Sequence, residues 1–299
     1  MSAAPLDSAA REETGPRGAT SFAAYAVPSR SGPHVTMQAG VVHADRFWTT
    51  TSGSSLKARS VRAHRTASVV VAEGDRHRVL AGRTNHMRPF KPLDVLRDPF
   101  APLRSTSAVV RLGLGQVEQL IGYFEAAGGI PADWLPHRRV LLVTRIDRSL
   151  ELDGLEVVAA SGRWHRGDAG RLRPGAGTVT GLPLDPLPDS HAGVVAADRP
   201  VHLGLSTRHG PVALPARWTG DNRFEVSADA LRTVRADLPG RAAAVFDDSA
   251  SRRPDEKLGV MFRGSASLHD VDGPAASVLI RSQRVTTWNG FEARTVPVR

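Results

Sequence analysis

The sequence predicts a mainly β protein built from two related barrels, and three observations lead to this fold class. Short runs of apolar and β-branched residues, separated by turns rich in Gly, Pro, Asp and Asn, dominate both ends of the chain. The strand pattern of the first part restarts after residue 198. A short basic helix is predicted at residues 54–64, directly after the third strand.

Composition narrows the functional classes. With 299 residues, 41% of them hydrophobic, the chain has enough apolar surface for two cores. The absence of cysteine excludes disulfides, thiolate metal sites and thiol nucleophiles. No run reaches the roughly 20 apolar residues of a membrane span, and the N-terminus lacks an apolar signal segment, so we expect a cytoplasmic protein. The net charge of +9 is scattered and aromatics make up only 5%, which argues against nucleic acid as a partner and is compatible with small anionic ligands.

The strands of the first half follow from its periodicity. Residues 1–19 are polar and predict a disordered tail. Strands are predicted at residues 21–27, 33–42, 47–50, 67–71 and 78–83. After a proline-rich stretch, residues 116–127 predict a helix and residues 139–152 a strand pair.

An internal repeat predicts that the second half folds like the first. Five short motifs recur in the same order, namely Gly32-Pro33 with Gly210-Pro211, 45–47 with 222–224, 67–70 with 243–246, 80–82 with 262–264, and 145–154 with 281–290. Residues 159–198, rich in Gly, Pro, Asp and Arg, predict a linker. The expected organisation is therefore a tail at 1–19, a first barrel at 20–158, the linker, and a second barrel at 199–299.

The predicted basic helix begins with residues suited to binding an anion. Its N-terminus offers unpaired backbone N–H groups, beside the hydroxyls of Thr50, Thr51 and Ser55 and the ammonium of Lys57. A phosphate site is one interpretation. An ordinary N-capped surface helix is the other.

These residues resemble a known family. A two-strand meander, a third strand, a turn, Ser-x-Lys-Ala, a basic helix and a strand are similar to the flavin-binding split β-barrel of the pyridoxamine 5′-phosphate oxidase family and its deazaflavin-dependent relatives. The matching positions are Thr50, Thr51, Ser55, Lys57 and Ala58. The resemblance implies that the hydroxyls and Lys57 bind the FMN phosphate.

The resemblance also implies how the rest of the site is built. The strand that carries His34 and Thr36 would lie along the isoalloxazine ring, and Trp288 would face it from the other barrel. Related barrels pair as dimers, so a tandem chain implies an intrachain pseudo-dimer, itself a monomer or a homodimer. Because Asp229 replaces Lys57 in the second copy, we expect one cofactor per chain.

The implied function is a flavin-dependent oxidoreductase that holds FMN, or 8-hydroxy-5-deazaflavin, non-covalently between two split barrels and acts on a small-molecule substrate. No catalytic acid or base can be assigned. The alternative is a non-catalytic flavin- or haem-binding protein of the same fold, with His34, His86 or His209 as the haem ligand. The Ser54-x-x-Lys57 spacing also matches serine acyl-transfer enzymes, but their other motifs are absent, and no metal-binding His motif occurs.

Overall fold

The computed structural model describes residues 20–87, 138–164, 172–175, 177–196, 199–248 and 256–298. In the described part of the first half, the chain forms seven strands and one helix. The sheet order is β3-β2-β1-β4-β5-β6-β7, and β3 also pairs with β6, so six strands close into a barrel. The elements are β1 (Thr20–Ser29), β2 (Gly32–His43), β3 (Arg46–Ser52), α1 (Leu56–His64), β4 (Thr66–Glu73), β5 (Arg76–Met87), β6 (Arg139–Asp153) and β7 (Glu156–Gly162). Inward-facing residues such as Tyr25, Phe47, Leu80 and Leu142 fill its core.

The second half repeats this topology, with the order β10-β9-β8-β11-β12-β13-β14 and closure between β10 and β13. Its elements are β8 (Val201–Leu205), β9 (Val212–Trp218), β10 (Arg223–Ser227), α2 (Ala228–Val234), β11 (Gly240–Asp247), β12 (Leu258–Asp272), β13 (Ala275–Asn289) and β14 (Glu292–Pro297). The predicted fold class, two tandem split barrels that form an intrachain pseudo-dimer, is confirmed.

A glycine bulge fixes how the two halves align. The fifth strand of each barrel shifts register at a glycine, Gly82 in β5 and Gly264 in β12. A Cβ at either position would lie 1.8 Å from a carbonyl oxygen, of Arg145 or of Arg281, so only glycine fits. The predicted equivalence of residues 145–148 with 281–284 is confirmed by these bulges.

Two expectations about strands were wrong. Residues 139–152 form one continuous strand, β6, because their polar segment lies opposite the Gly82 bulge and not in a turn. The fourth strands align one residue away from the predicted register: Ala67 pairs with Gly82, and Ala242, not Ala243, pairs with Gly264. Three consecutive alanines, 242–244, give the sequence no signal that separates these registers.

The barrels pack against each other through reciprocal contacts. A Cβ on Gly32 would lie 2.7 Å from the Cβ of Arg241, and one on Gly210 would lie 2.8 Å from Oγ1 of Thr66. Gly32 and Gly210 are equivalent positions, and so are Thr66 and Arg241. The Ser68 hydroxyl also accepts a hydrogen bond from the Ala213 backbone N–H at 2.8 Å. The two barrels are therefore related by an approximate two-fold axis.

The segment before β8 packs on the second barrel. Backbone and side-chain hydrogen bonds join Gly175 to Leu268, Thr180 to Asn222 and His191 to Trp288. The division into a tail, two domains and a linker stays a prediction, and the predicted tail at 1–19 and helix at 116–127 lie outside the described residues. Among the residues that are described, no helix has the length and apolar character needed to cross a membrane.

Candidate functional site

The N-terminus of α1 is built by a hydroxyl network. Ser55 is the N-cap residue, and its Oγ accepts a hydrogen bond from the Ala58 N–H at 3.2 Å. Thr51 Oγ1 donates to Ser55 Oγ at 3.1 Å, which joins β3 to the helix. Ala58 is fully buried in the first core. Ser55 therefore caps α1, as expected of an ordinary N-capped helix. The first turn of α1, which carries Lys57, lies against β2.

Lys57 is the buried cation of the site. Its side chain is only 8% exposed, and Nζ donates a hydrogen bond to Thr36 Oγ1 on β2 at 3.1 Å. Burial, followed by the positive charge of Arg139, lowers the pKa of Lys57 to about 7, while Asp247 acts in the opposite direction. An ammonium that is this costly to bury indicates a place where an anion would be stabilised.

Thr50 has a different environment from Thr51. Neighbouring residues of a strand point to opposite faces of the sheet, and only Thr51 meets Ser55. Thr50 Oγ1 instead accepts hydrogen bonds from Arg139, at 2.8 Å from Nη2 and 3.2 Å from Nε. Arg139 lies at the start of β6, opposite Ser52 at the end of β3.

The second barrel contributes an acid, a lysine and an indole. Asp247 ends β11 and is 9% exposed; burial raises its pKa to about 7, against the effect of Lys257. The Trp288 side chain acts to lower the pKa of this carboxyl group. Burial likewise lowers the pKa of Lys257 to about 8. Trp288 lies across Gly259, where a Cβ would come 2.0 Å from the ring.

His34 is affected by two positive charges. Its pKa is lowered to about 3 by burial first, and then by Lys57 and Arg263. The residue keeps part of its surface exposed, but Nδ1 is buried and has no hydrogen-bond partner within the described residues. His34 is therefore neutral at physiological pH and offers one uncommitted buried nitrogen.

Most of the predicted positions thus cluster where α1 and β2 face the second barrel. Lys57 donates to Thr36 and lowers the pKa of His34. Both Lys57 and Trp288 act on the pKa of Asp247. The adjoining helix terminus is formed by Thr51, Ser55 and Ala58. The sequence did not single out Arg139, Asp247, Lys257 or Arg263, because no motif marks them and they lie far from Lys57 along the chain.

The equivalent surface of the opposite half has different chemistry. Counting from the paired glycines and across the ladders, the site residues are replaced by apolar or acidic ones. The replacements are Asp229 for Lys57, Leu214 for Thr36, Val212 for His34, Ala72 for Asp247 and Leu152 for Trp288. Asp229 forms an ion pair with Arg232 at 2.7 Å.

The positions of the histidines and carboxylates bear on the metal and haem interpretations. Within the described ranges, no group of three His, Asp or Glu side chains is placed to hold a metal ion. Of the three histidines suggested as haem ligands, His34 lies beside Lys57, His86 is on β5, and His209 is in the turn before β9.

Comparison with known proteins gives matches among solved structures. No family model matches the sequence, and no curated protein matches it. An F420 reductase is 16% identical, with 44% of this chain and 90% of that chain covered and a TM-score of 0.29. An FAD-binding protein from Mesorhizobium loti is 15% identical, with 45% and 86% covered and a TM-score of 0.32.

A third match is a pyridoxamine 5′-phosphate oxidase-related, FMN-binding protein from Nostoc punctiforme PCC 73102. It is 12% identical, with 44% of this chain and 74% of that chain covered and a TM-score of 0.31. At such TM-scores these matches do not bear on the ligand of this chain. The strand order of the two closed barrels identifies the fold as a tandem split β-barrel.

Proposed function

We propose that this chain binds a flavin-type cofactor, FMN in preference to a deazaflavin, non-covalently between its two barrels, and that it works as an oxidoreductase on a small-molecule substrate. The observation that carries this proposal is Lys57. It is a buried ammonium at the N-terminus of α1, facing the other barrel, with one hydroxyl partner and two further cations nearby.

The donor set fits a phosphate group. Lys57, Arg139 and Lys257 together carry more positive charge than Asp247 compensates, so a dianion would be stabilised there. The helix N-terminus adds a partial positive charge in the same place. A bound phosphate would raise the pKa of Lys57 again, which is the reverse of the burial effect.

The neighbouring groups fit an aromatic ring with polar edges. His34 Nδ1 and Asp247 Oδ1 are buried atoms for which the described residues supply no hydrogen-bond partner. Trp288 offers a flat apolar surface beside them. We assign ring contacts to His34, Thr36 and Trp288, and phosphate contacts to Lys57 with Thr51 and Ser55.

When bound, a flavin would supply the hydride or electron transfer. The residues of this chain would orient it, exclude water from the cleft and set the local charge. Asp247, with a pKa of about 7, can take up or release a proton at its carboxyl group near neutral pH.

Paired titrations with FMN and riboflavin test this function. Lys57→Ala should weaken FMN binding by about 1.5–3 kcal/mol, or roughly 10- to 150-fold, the scale of a hydrogen bond to a charged group. It should leave riboflavin affinity unchanged, because riboflavin lacks the phosphate. Arg59→Ala, which removes an exposed cation from the same helix, is the matched control.

Equal FMN affinity of Lys57→Ala and the parent protein would contradict the assignment. The absorption spectrum after incubation with FMN, a deazaflavin or haem identifies the preferred group. A flavin that binds but is neither reduced by nicotinamide donors nor reoxidised by acceptors would favour the non-catalytic alternative.

A further inference from the structure

A second cationic feature lies where the β1–β2 turn meets the second barrel. It is a cavity of about 400 Å³, lined by Arg30, Ser31, Arg241, Arg263, Gln283 and Arg284. This volume lies in the range of small-ligand sites. Four guanidinium groups and no carboxylate line it.

Arg263 forms the buried wall of this cavity. It is 7% exposed, and it donates from Nη1 to Ser31 Oγ at 3.0 Å and from Nη2 to Thr286 Oγ1 at 3.2 Å. Its buried Nε has no partner among the residues that are described. Burial, and then the neighbouring Arg284, lowers the pKa of Arg263. No described carboxylate forms an ion pair with any of the four arginines.

The pseudo-symmetric position on the other side of the interface provides an internal comparison. Register pairs Arg30 with Arg208, Arg241 with Thr66, Arg263 with Ala81, Gln283 with Asp147 and Arg284 with Arg148. Two arginines are lost and an aspartate is gained, and Asp147 forms an ion pair with Arg148 at 2.9 Å. The concentration of unpaired positive charge is therefore specific to one side and is not a consequence of the fold.

We propose that this arginine cavity binds an oxyanion group, a phosphate or a carboxylate, of a second small molecule. Arg guanidinium groups match such oxyanions in geometry and charge, and the exposed Arg30, Arg241 and Arg284 leave the cavity open to solvent. His34 lies within the electrostatic influence of both Arg263 and Lys57, so the cavity adjoins the proposed cofactor cleft. In the terms of the proposed function, the anion belongs to the substrate.

The test is calorimetric titration of the cofactor-free full chain carrying Lys57→Ala, which removes the cation proposed to bind the cofactor phosphate, with inorganic pyrophosphate and, separately, with citrate, at fixed salt. Arg30→Gln and Arg241→Thr should each weaken binding about tenfold, the loss expected from one charge-assisted hydrogen bond. Arg208→Gln removes the equivalent exposed arginine on the opposite side and should have no effect.

Two results would overturn the proposal: no measurable binding of either anion, or equal weakening by Arg208→Gln. Repeating the titration on the parent chain with saturating FMN or riboflavin separates the two sites. Competition by FMN but not by riboflavin would mean that the cavity holds the cofactor phosphate, which contradicts a second anion. If flavins fail to bind while pyrophosphate still requires Arg30 and Arg241, the proposed function fails and the anion site stands.

Discussion

Lys57 and Asp247 are buried and Lys257 is half-buried where the barrels meet, and burial disfavours the charged form of each side chain. It lowers the pKa of both lysines and raises that of the carboxyl group. All three pKa values, about 7, 8 and 7, fall near neutrality. Ligand binding and folding should therefore both depend on pH in this range.

FMN affinity should fall as pH rises above about 7. Free Lys57 loses its proton there, so binding a phosphate must be coupled to proton uptake, with a limit of tenfold per pH unit. Ionisation of Asp247 acts in the same direction. Fluorescence titrations between pH 6.5 and 9 measure the slope.

Lys57→Arg is the control for this pH dependence, since arginine stays charged. The slope should become shallower in that variant. An identical slope in Lys57→Arg and the parent protein would show that Lys57 is not the group that titrates.

Asp247→Asn should stabilise the cofactor-free protein, relative to the parent protein, more at pH 8 than at pH 4. The folded-state pKa of Asp247, about 7, is above its ordinary value of 3.8, so the stability associated with its proton is lost as pH rises through about 7. Asparagine removes that loss, which is roughly 2–4 kcal/mol at most. Thermal unfolding at both pH values, with the exposed Asp185→Asn as control, tests the sign, and a pH-independent difference would contradict it.

At the residue scale, the sequence predicted the first-barrel residues of the candidate site and, from the second barrel, Trp288. Ser55, Lys57 and Thr36 follow from a local motif and from the resemblance that it carries. Asp247 and Lys257 do not, because their role depends on how the two barrels pack. No periodicity or short spacing encodes that packing.

At the scale of elements, α1 and α2 use the same cap. Ser227 Oγ accepts from the Ala230 N–H at 3.2 Å, as Ser55 accepts from Ala58 at the same distance. Arg65 and Arg235 both end their helix in the left-handed conformation. The N-cap is therefore common to both halves, whereas the lysine at position 57 has no counterpart in the second half.

Ser55→Ala and Ser227→Ala should each lower the free energy of unfolding by about 0.5–2 kcal/mol, the usual loss of an N-cap. Only Ser55→Ala should also weaken FMN binding. Chemical denaturation and flavin titration of both variants measure the two effects. Unchanged stability in either variant would contradict the capping role.

Gly264→Ala should destabilise the protein by about 1–3 kcal/mol or more, because a Cβ there overlaps the Arg281 carbonyl oxygen. Gly181→Ala is the control, since its Cβ would meet nothing within 4 Å. It should change stability by no more than about 0.5 kcal/mol. Equal unfolding midpoints for the two variants would mean that the bulge tolerates a side chain.

The positions of the strands were largely predictable from the sequence, but whether a strand continues or turns was not. Alternation and turn residues located β1 to β5, and the repeat located the bulge motifs of the second half. β6 was misjudged because charged residues at a bulge look like a turn in sequence. Only the partner strand distinguishes the two cases.

At the scale of the whole molecule, the interface is chemically one-sided. Lys57, His34 and Asp247 have no chemical equivalents across the two-fold axis, where Asp229, Val212 and Ala72 stand. We therefore expect one flavin per chain. Calorimetric titration should give a stoichiometry near one, and two equivalent sites would refute this expectation.

The covalent link between the barrels changes how the site responds to dilution. In a pair of separate subunits, lowering the protein concentration separates the halves and dismantles any site between them. Here the reciprocal contacts of Gly32 with Arg241 and of Gly210 with Thr66 are intramolecular, so the chain fixes their effective concentration. The two equivalent positions of each interface contact are also separate residues of one chain. A substitution at Arg263 therefore changes one side of the interface and leaves the equivalent residue on the other side, Ala81, unchanged.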